Sequence, residues 1–158
     1  MAGFPAPQAG VRYLTEGGQE TELMYGHGHE LPEFPMYPLL DDPRAVADLE
    51  AMYTCVLEVA EAEGFVPLLG GLDYRASPDW ASKLGITPDG LVEYQQRSIA
   101  FLREVARPFE GRVPEVLFAG ITGPRGAPTD ATTRSPPRRR RRTTASSSGR
   151  WRMQGWTS

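Results

Sequence analysis

Three glycine-bearing polar segments follow apolar runs, and they are where this chain could do chemistry. They read Glu16-Gly17-Gly18-Gln19-Glu20-Thr21-Glu22-Leu23, Asp73-Tyr74-Arg75-Ala76-Ser77-Pro78 and Gly120-Ile121-Thr122-Gly123-Pro124-Arg125-Gly126. Glycine lets the backbone come close to a ligand, and in a parallel α/β fold the edge where strands give way to loops builds the active site, so Glu16 is a candidate substrate carboxylate. Glu16 reads equally as a solvated turn acid. His27 and His29 flank Gly28, but two ligands on a loop are too few for a metal without thiolate or carboxylate partners. They are expected to be solvated. Cys55 is expected to be a small, partly buried helix residue, and Asp73 and Arg75 are expected to pair on the rim. Gly17-Gly18, Gly26 with Gly28, and Gly70-Gly71 lack the spacing of a nucleotide-binding loop.

The elements that must position these residues alternate. Residues 11–14 form a β-prone run closed by Gly17-Gly18. Pro32, Pro35 and Pro38 predict an extended loop over 31–38. A long helix follows, capped by Asp41 or Asp42, with Pro43 in its first turn and Gly64 at its end. Val46, Leu49, Met52, Tyr53, Val56, Leu57 and Ala60 recur along it at helical spacing, with Asp48, Glu58 and Glu61 opposite. Residues 65–69 are continuously apolar, as in a strand buried on both faces, although Pro67 argues against a central place. Ser77 and Pro78 open a short helix reaching Leu84. A second long helix covers about 88–105, with Leu91, Tyr94, Gln95, Ser98, Ile99 and Leu102 along one side. Residues 116–121 make a third apolar strand. Strand, helix, strand, helix, strand predicts parallel pairing in an α/β fold. The periodicity does not separate an open doubly wound sheet from part of a barrel, and a closed eight-stranded barrel needs about 250 residues.

Composition bounds the class. The 158 residues are 40% hydrophobic and 23% charged, as in a globular domain. No apolar run is long enough for a membrane helix, and the first ten residues lack the pattern of a secretory signal. With one cysteine there is no internal disulfide, which fits a reducing, cytoplasmic setting. The net charge of −3 joins two unlike regions: −10 up to Arg125 and +7 from Gly126 onward. A flexible arm (1–10), a folded region (11–125) and a disordered Arg/Ser/Pro-rich tail (126–158) are therefore expected.

The three strand-end segments, in this order and spacing, resemble the homocysteine S-methyltransferases. That family opens with an acidic-Gly-Gly segment followed by Thr-Glu-Leu. It continues with a second-strand motif running from an aromatic residue into Ala-Ser-Pro, and a third strand ending in Gly-Pro-x-Gly. The resemblance covers residues 11–126 and implies the front of a (β/α)8 barrel, incomplete over about three β/α units. It also implies zinc-dependent methyl transfer from a donor to homocysteine, giving methionine. Zinc stabilises the homocysteine thiolate, the nucleophilic form of a thiol whose ordinary pKa is about 8.5. Carried over by position, Glu16 would help hold the homocysteine amino group, with Gly17 and Gly18 letting backbone approach. Tyr74 and Ser77 match the second-strand motif and Gly123 the third, completing the implied substrate-binding set. Thr21 and Glu22 match the family's Thr-Glu.

Departures from the family pattern are plain. Aspartate is usual where Glu16 stands, and the second strand here ends in Gly70-Gly71-Leu72-Asp73 rather than threonine-rich text. The family's zinc cysteines come late in the chain and have no counterpart here, so zinc is expected not to bind and methyl transfer not to occur. The tail holds five consecutive arginines, Arg138, Arg139, Arg140, Arg141 and Arg142, between Pro136-Pro137 and Thr143-Thr144. Sixteen of the 17 basic residues are arginine, which suggests a GC-rich gene. A frameshift near Gly126 would then turn an acidic, alanine-rich helix into Pro/Arg text. The alternative is a genuine basic arm on a noncatalytic α/β binding module, contacting nucleic acid or another polyanion nonspecifically.

Overall fold

The computed structural model describes residues 8–124. The tail 126–158, its five arginines and most of the arm 1–10 lie outside them.

Three parallel strands form one sheet in the order β1 (Tyr13–Thr15), β2 (Val66–Gly70), β3 (Leu117–Ala119). The register sets Tyr13 against Val66, and Gly70 against Ala119. Between β1 and β2 run α1 (Gln19–Thr21), a π-helical turn over Glu22–Gly26, a 3-10 turn over Tyr37–Asp41 and the long α2 (Pro43–Glu63). Between β2 and β3 run α3 (Pro78–Lys83), α4 (Pro88–Ala106) and a further 3-10 turn. The fold is mixed α/β with a parallel sheet. Three such strands suit an open sheet and a barrel segment alike.

α2 is delimited as its sequence predicts. The Asp42 carboxylate accepts from the Arg44 N–H at 2.9 Å, and Gly64 closes the helix in the left-handed region at φ 65°. Leu49, Tyr53 and Leu57, each four residues apart, are fully buried, with Ala45 and Ala60 extending the stripe. Burial of each leucine contributes about 1.5–3 kcal/mol. This stripe packs on β2 and α4. Cys55 lies off it and is exposed, against the expectation of partial burial.

Pro67 occupies the middle strand after all. Val66 N–H donates to the Arg12 carbonyl at 2.9 Å, toward β1. Amide directions alternate along a strand, so the donor that Pro67 lacks would face β3, whose pairing begins only at Leu68. No ladder bond is lost. The proline-rich stretch also departs from a plain extended loop. Glu33 and Phe34 adopt positive φ (59° and 75°), and a 3-10 turn begins at Tyr37. The turn is compatible with Pro38, whose fixed φ suits a first helical turn.

α4 presents Leu91, Ser98, Leu102, Val105 and Ala106 to the interior. Ser98 belongs there for a polar reason: its Oγ accepts from the buried Leu72 N–H at 2.9 Å just after β2. Without it that donor would lack a partner, which typically costs about 1–3 kcal/mol.

Candidate functional site

β1 and β2 both run out at the same edge of the sheet, and there the first two segments meet. Glu16 leaves β1 and turns its carboxylate across to β2, where Oε1 accepts from the Gly70 N–H at 2.6 Å. Gly70 is fixed from the other side too, since Tyr53 Oη donates to its carbonyl at 2.7 Å. A side chain at Gly70 is excluded: its Cβ would stand 2.5 Å from Glu16 Oε1 and 2.4 Å from Ile121 Cδ1. That contact also brings the third segment into the same place.

Glu16, Gly17, Gly18 and Tyr74 line one cleft of about 340 Å³, together with Thr15, Gln19, Glu20, Phe34, Met36 and Ile121. Tyr74, Ser77 and Gly123 line a smaller recess of about 80 Å³ with Asp73, Ala76, Gln95, Ile121 and Thr122. Tyr74 and Ile121 belong to both. All six sequence-predicted substrate residues therefore meet in two adjoining hollows at the C-terminal edge of the sheet, where parallel α/β folds build their sites.

The charged side chains lining the cleft, Glu16 and Glu20, are both acidic. Partial burial raises the Glu16 carboxyl above its ordinary pKa, against the lowering effect of backbone hydrogen bonds and of Thr15. A carboxylate in that position gains from a nearby positive charge. Burial likewise raises the Tyr53 hydroxyl, opposed by a Gln19 hydrogen bond and reinforced by the negative charges of Glu16, Glu20 and Asp73.

The recess is tightly built. Gly123 N–H donates to the Tyr74 carbonyl at 2.9 Å, and a Cβ at Gly123 would lie 2.1 Å from that oxygen. Ser77 stands at the N-cap of α3 without capping it, and its Oγ is shielded from solvent with no hydrogen-bond partner among the described residues. Asp73 does not pair with Arg75. Its Oδ1 accepts from the Ile121 N–H at 2.9 Å, while the Arg75 Cζ lies over the Trp80 ring, 4.0 Å from its centre. A carboxylate at the end of β2 thus ties down the chain leaving β3.

The histidines are not solvated as expected. His29 is buried and its Nε2 lies 2.6 Å from Asp48 Oδ2, while half-buried His27 places Nδ1 3.2 Å from Asp48 Oδ1. One carboxylate on α2 holds both rings. The His29 hydrogen bond is the main reason that the Asp48 carboxyl lies below its ordinary pKa. Among the described residues, no group of three His, Cys, Asp or Glu is placed to hold a metal ion.

Several cleft residues were not singled out from sequence. Phe34 and Met36 come from the proline-rich loop, whose path no periodicity reveals. Gly70 carries a signal, a glycine at a strand end, but nothing in the sequence ties it to Glu16, 54 residues away. Compared with protein-family models, curated proteins and solved structures, the chain matches none.

Proposed function

We propose that the Glu16 cleft binds the amino-acid end of a thiol substrate, as the substrate-holding part of a homocysteine S-methyltransferase-like (β/α)8 barrel. One observation carries this reading: three motifs, read in order along the chain, meet at a single sheet edge around a half-buried carboxylate. Ionised Glu16 receives the α-ammonium group. Gly17 and Gly18 leave room for backbone to approach the ligand, since a Cβ at either would meet nothing within 4 Å. Phe34, Met36 and Ile121 give the thiol-bearing chain an apolar wall.

The zinc of the family does not fit the described residues. Cys55 is exposed on α2, and the His27–Asp48–His29 cluster is internally bonded rather than open toward the cleft. No catalytic step is assigned to these residues, whose part here is to bind and orient.

The test is calorimetric titration of the full chain with homocysteine, beside its Glu16→Gln variant. Binding is expected for the wild type, weakened about tenfold or more in the variant, since a hydrogen bond to a charged group is worth about 1.5–3 kcal/mol. No binding, or equal binding by both proteins, would sink the reading.

A further inference from the structure

Gly70 joins the Glu16 cleft to the core. Its N–H donates to Glu16 Oε1 at 2.6 Å, and its carbonyl accepts from Tyr53 Oη at 2.7 Å. Gly71 follows, and its N–H donates to the Ala119 carbonyl at 2.8 Å. Two adjacent glycines have wide backbone freedom. Hydrogen bonds, rather than the sterics of side chains, therefore orient these peptide groups.

Tyr53 brings the core's rigidity to that junction. It is fully buried on α2, and its ring meets Phe101 of α4 edge-on with 6.0 Å between centres. Close packing of this kind fixes where the hydroxyl stands. The same hydroxyl is hydrogen-bonded to the side chain of Gln19, which is buried and lines the cleft beside Glu16. One core hydroxyl thus reaches the cleft twice, through Gly70 and through Gln19. Of the two Glu16 oxygens, Oε1 is committed to Gly70. Oε2 has the Thr15 hydroxyl at 3.5 Å, the long limit of a hydrogen bond.

We propose that Tyr53 is a positioning residue of this cleft, its hydroxyl holding the Gly70 peptide and Gln19 so that Glu16 is anchored through Oε1 and keeps Oε2 for the ligand's ammonium group. The identity of that ligand rests on the functional reading above, whereas the anchoring of Glu16 by Tyr53 through Gly70 does not. Burial raises the Glu16 carboxyl, and the Gly70 hydrogen bond opposes this by favouring the ionised form. The anchor therefore serves both the place and the charge of the carboxylate.

The first measurement uses the full chain and no ligand. The Glu16 Cδ resonance is followed across pH by carbon-13 NMR in the wild type and in Tyr53→Phe. The other acids acting on this network, Glu20 and Asp73, are the same in both proteins. Without its anchor, Glu16 is expected to titrate about half a pH unit to one unit higher, the scale of one hydrogen bond. A tyrosine that only packs would lower the melting temperature and leave that midpoint where it was. An unchanged midpoint in folded Tyr53→Phe overturns the proposal.

The second measurement holds even if Tyr53→Phe does not fold. Coupling between two sites is reciprocal, so the Tyr53 Cζ resonance of the wild type should shift at the Glu16 midpoint. Glu16→Gln should remove that step. A Tyr53 resonance indifferent to Glu16 overturns the proposal. With ligand present, Tyr53→Phe is expected to bind homocysteine about three- to tenfold more weakly at pH 7. A shifted midpoint with no homocysteine binding by either protein would keep the anchor and remove the methyltransferase reading. Equal homocysteine binding by both proteins with an unchanged midpoint would do the reverse.

Discussion

At the scale of single residues, Glu16 is placed where charge is unfavourable without a guest. Its folded-state pKa is raised, so the folded chain binds the proton more tightly than the unfolded chain. The associated stability is present at low pH and is lost as pH rises through the raised value. Replacing Glu16 by glutamine removes that penalty while leaving an oxygen to accept from Gly70 N–H. Glu16→Gln is therefore expected to keep or raise the melting temperature at pH 7 even as it loses ligand. A calorimetric scan showing a clear fall would mean that the charge itself supports the fold. Gly123 makes the opposite demand. With a Cβ 2.1 Å from the Tyr74 carbonyl, Gly123→Ala must displace the end of the third segment. Overpacking of this kind costs about 1–3 kcal/mol, readable as a lower urea midpoint. Near-neutral behaviour would show that residues 120–124 can move away freely.

At the scale of elements, the loop carrying Phe34 and Met36 lines the cleft and then leads through a 3-10 turn into α2. Asp48 on that helix clasps His27 and His29, and Arg44 Nη2 donates to the His27 carbonyl at 2.8 Å. The depressed pKa of Asp48 sets the sign of its pH dependence. Its contribution is present above the ordinary carboxylate value of 3.8 and is lost as pH falls through the lower folded-state value. Asp48→Asn should lower stability at neutral pH and flatten that acid limb in a series of urea melts between about pH 2 and 5. An equally steep limb in the variant would place the acid sensitivity elsewhere. The same clasp shows why two histidines looked idle in the sequence. Their carboxylate partner lies 19 residues beyond His29, on the helix face that periodicity assigns to solvent.

At the scale of the whole molecule, β1 and β3 each have a neighbour on one side only among the described residues, and Phe118 on β3 is exposed. Open strand edges with apolar side chains invite association. The purified chain is expected to self-associate in light scattering as concentration rises, and Phe118→Lys should reduce this. Equal scattering from both proteins would clear β3 of the charge. The arginine-rich tail poses a separate question with its own measurement. Resequencing through codon 126 in all three frames is expected to find a frame that continues an acidic, alanine-rich helix. Without one, the arm is genuine, and salt-sensitive DNA binding that is lost on cutting at Gly126 becomes the expected behaviour.

Much of the fold was legible in the sequence because its signals are local. Asp42, Pro43 and Gly64 bound α2 through backbone chemistry within one helical turn, and the leucine spacing fixed its buried face. The three polar segments followed strands, and parallel strands separated by helices must run out at one edge. That alternation was enough to bring Glu16, Tyr74, Ser77 and Gly123 together. Whatever depended on partners distant in sequence was decided by tertiary structure alone. Pro67 is tolerated in the middle strand because its missing donor faces a neighbour that has not yet begun to pair. His29 is buried because Asp48 meets it, and Cys55 is exposed because the α2 stripe leaves it outside. Arg75 lost its expected partner when Asp73 turned to the Ile121 amide. A hydrogen bond or ion pair between groups 19 or 48 residues apart leaves no periodic trace, so these pairings arise only when packing brings the groups within reach.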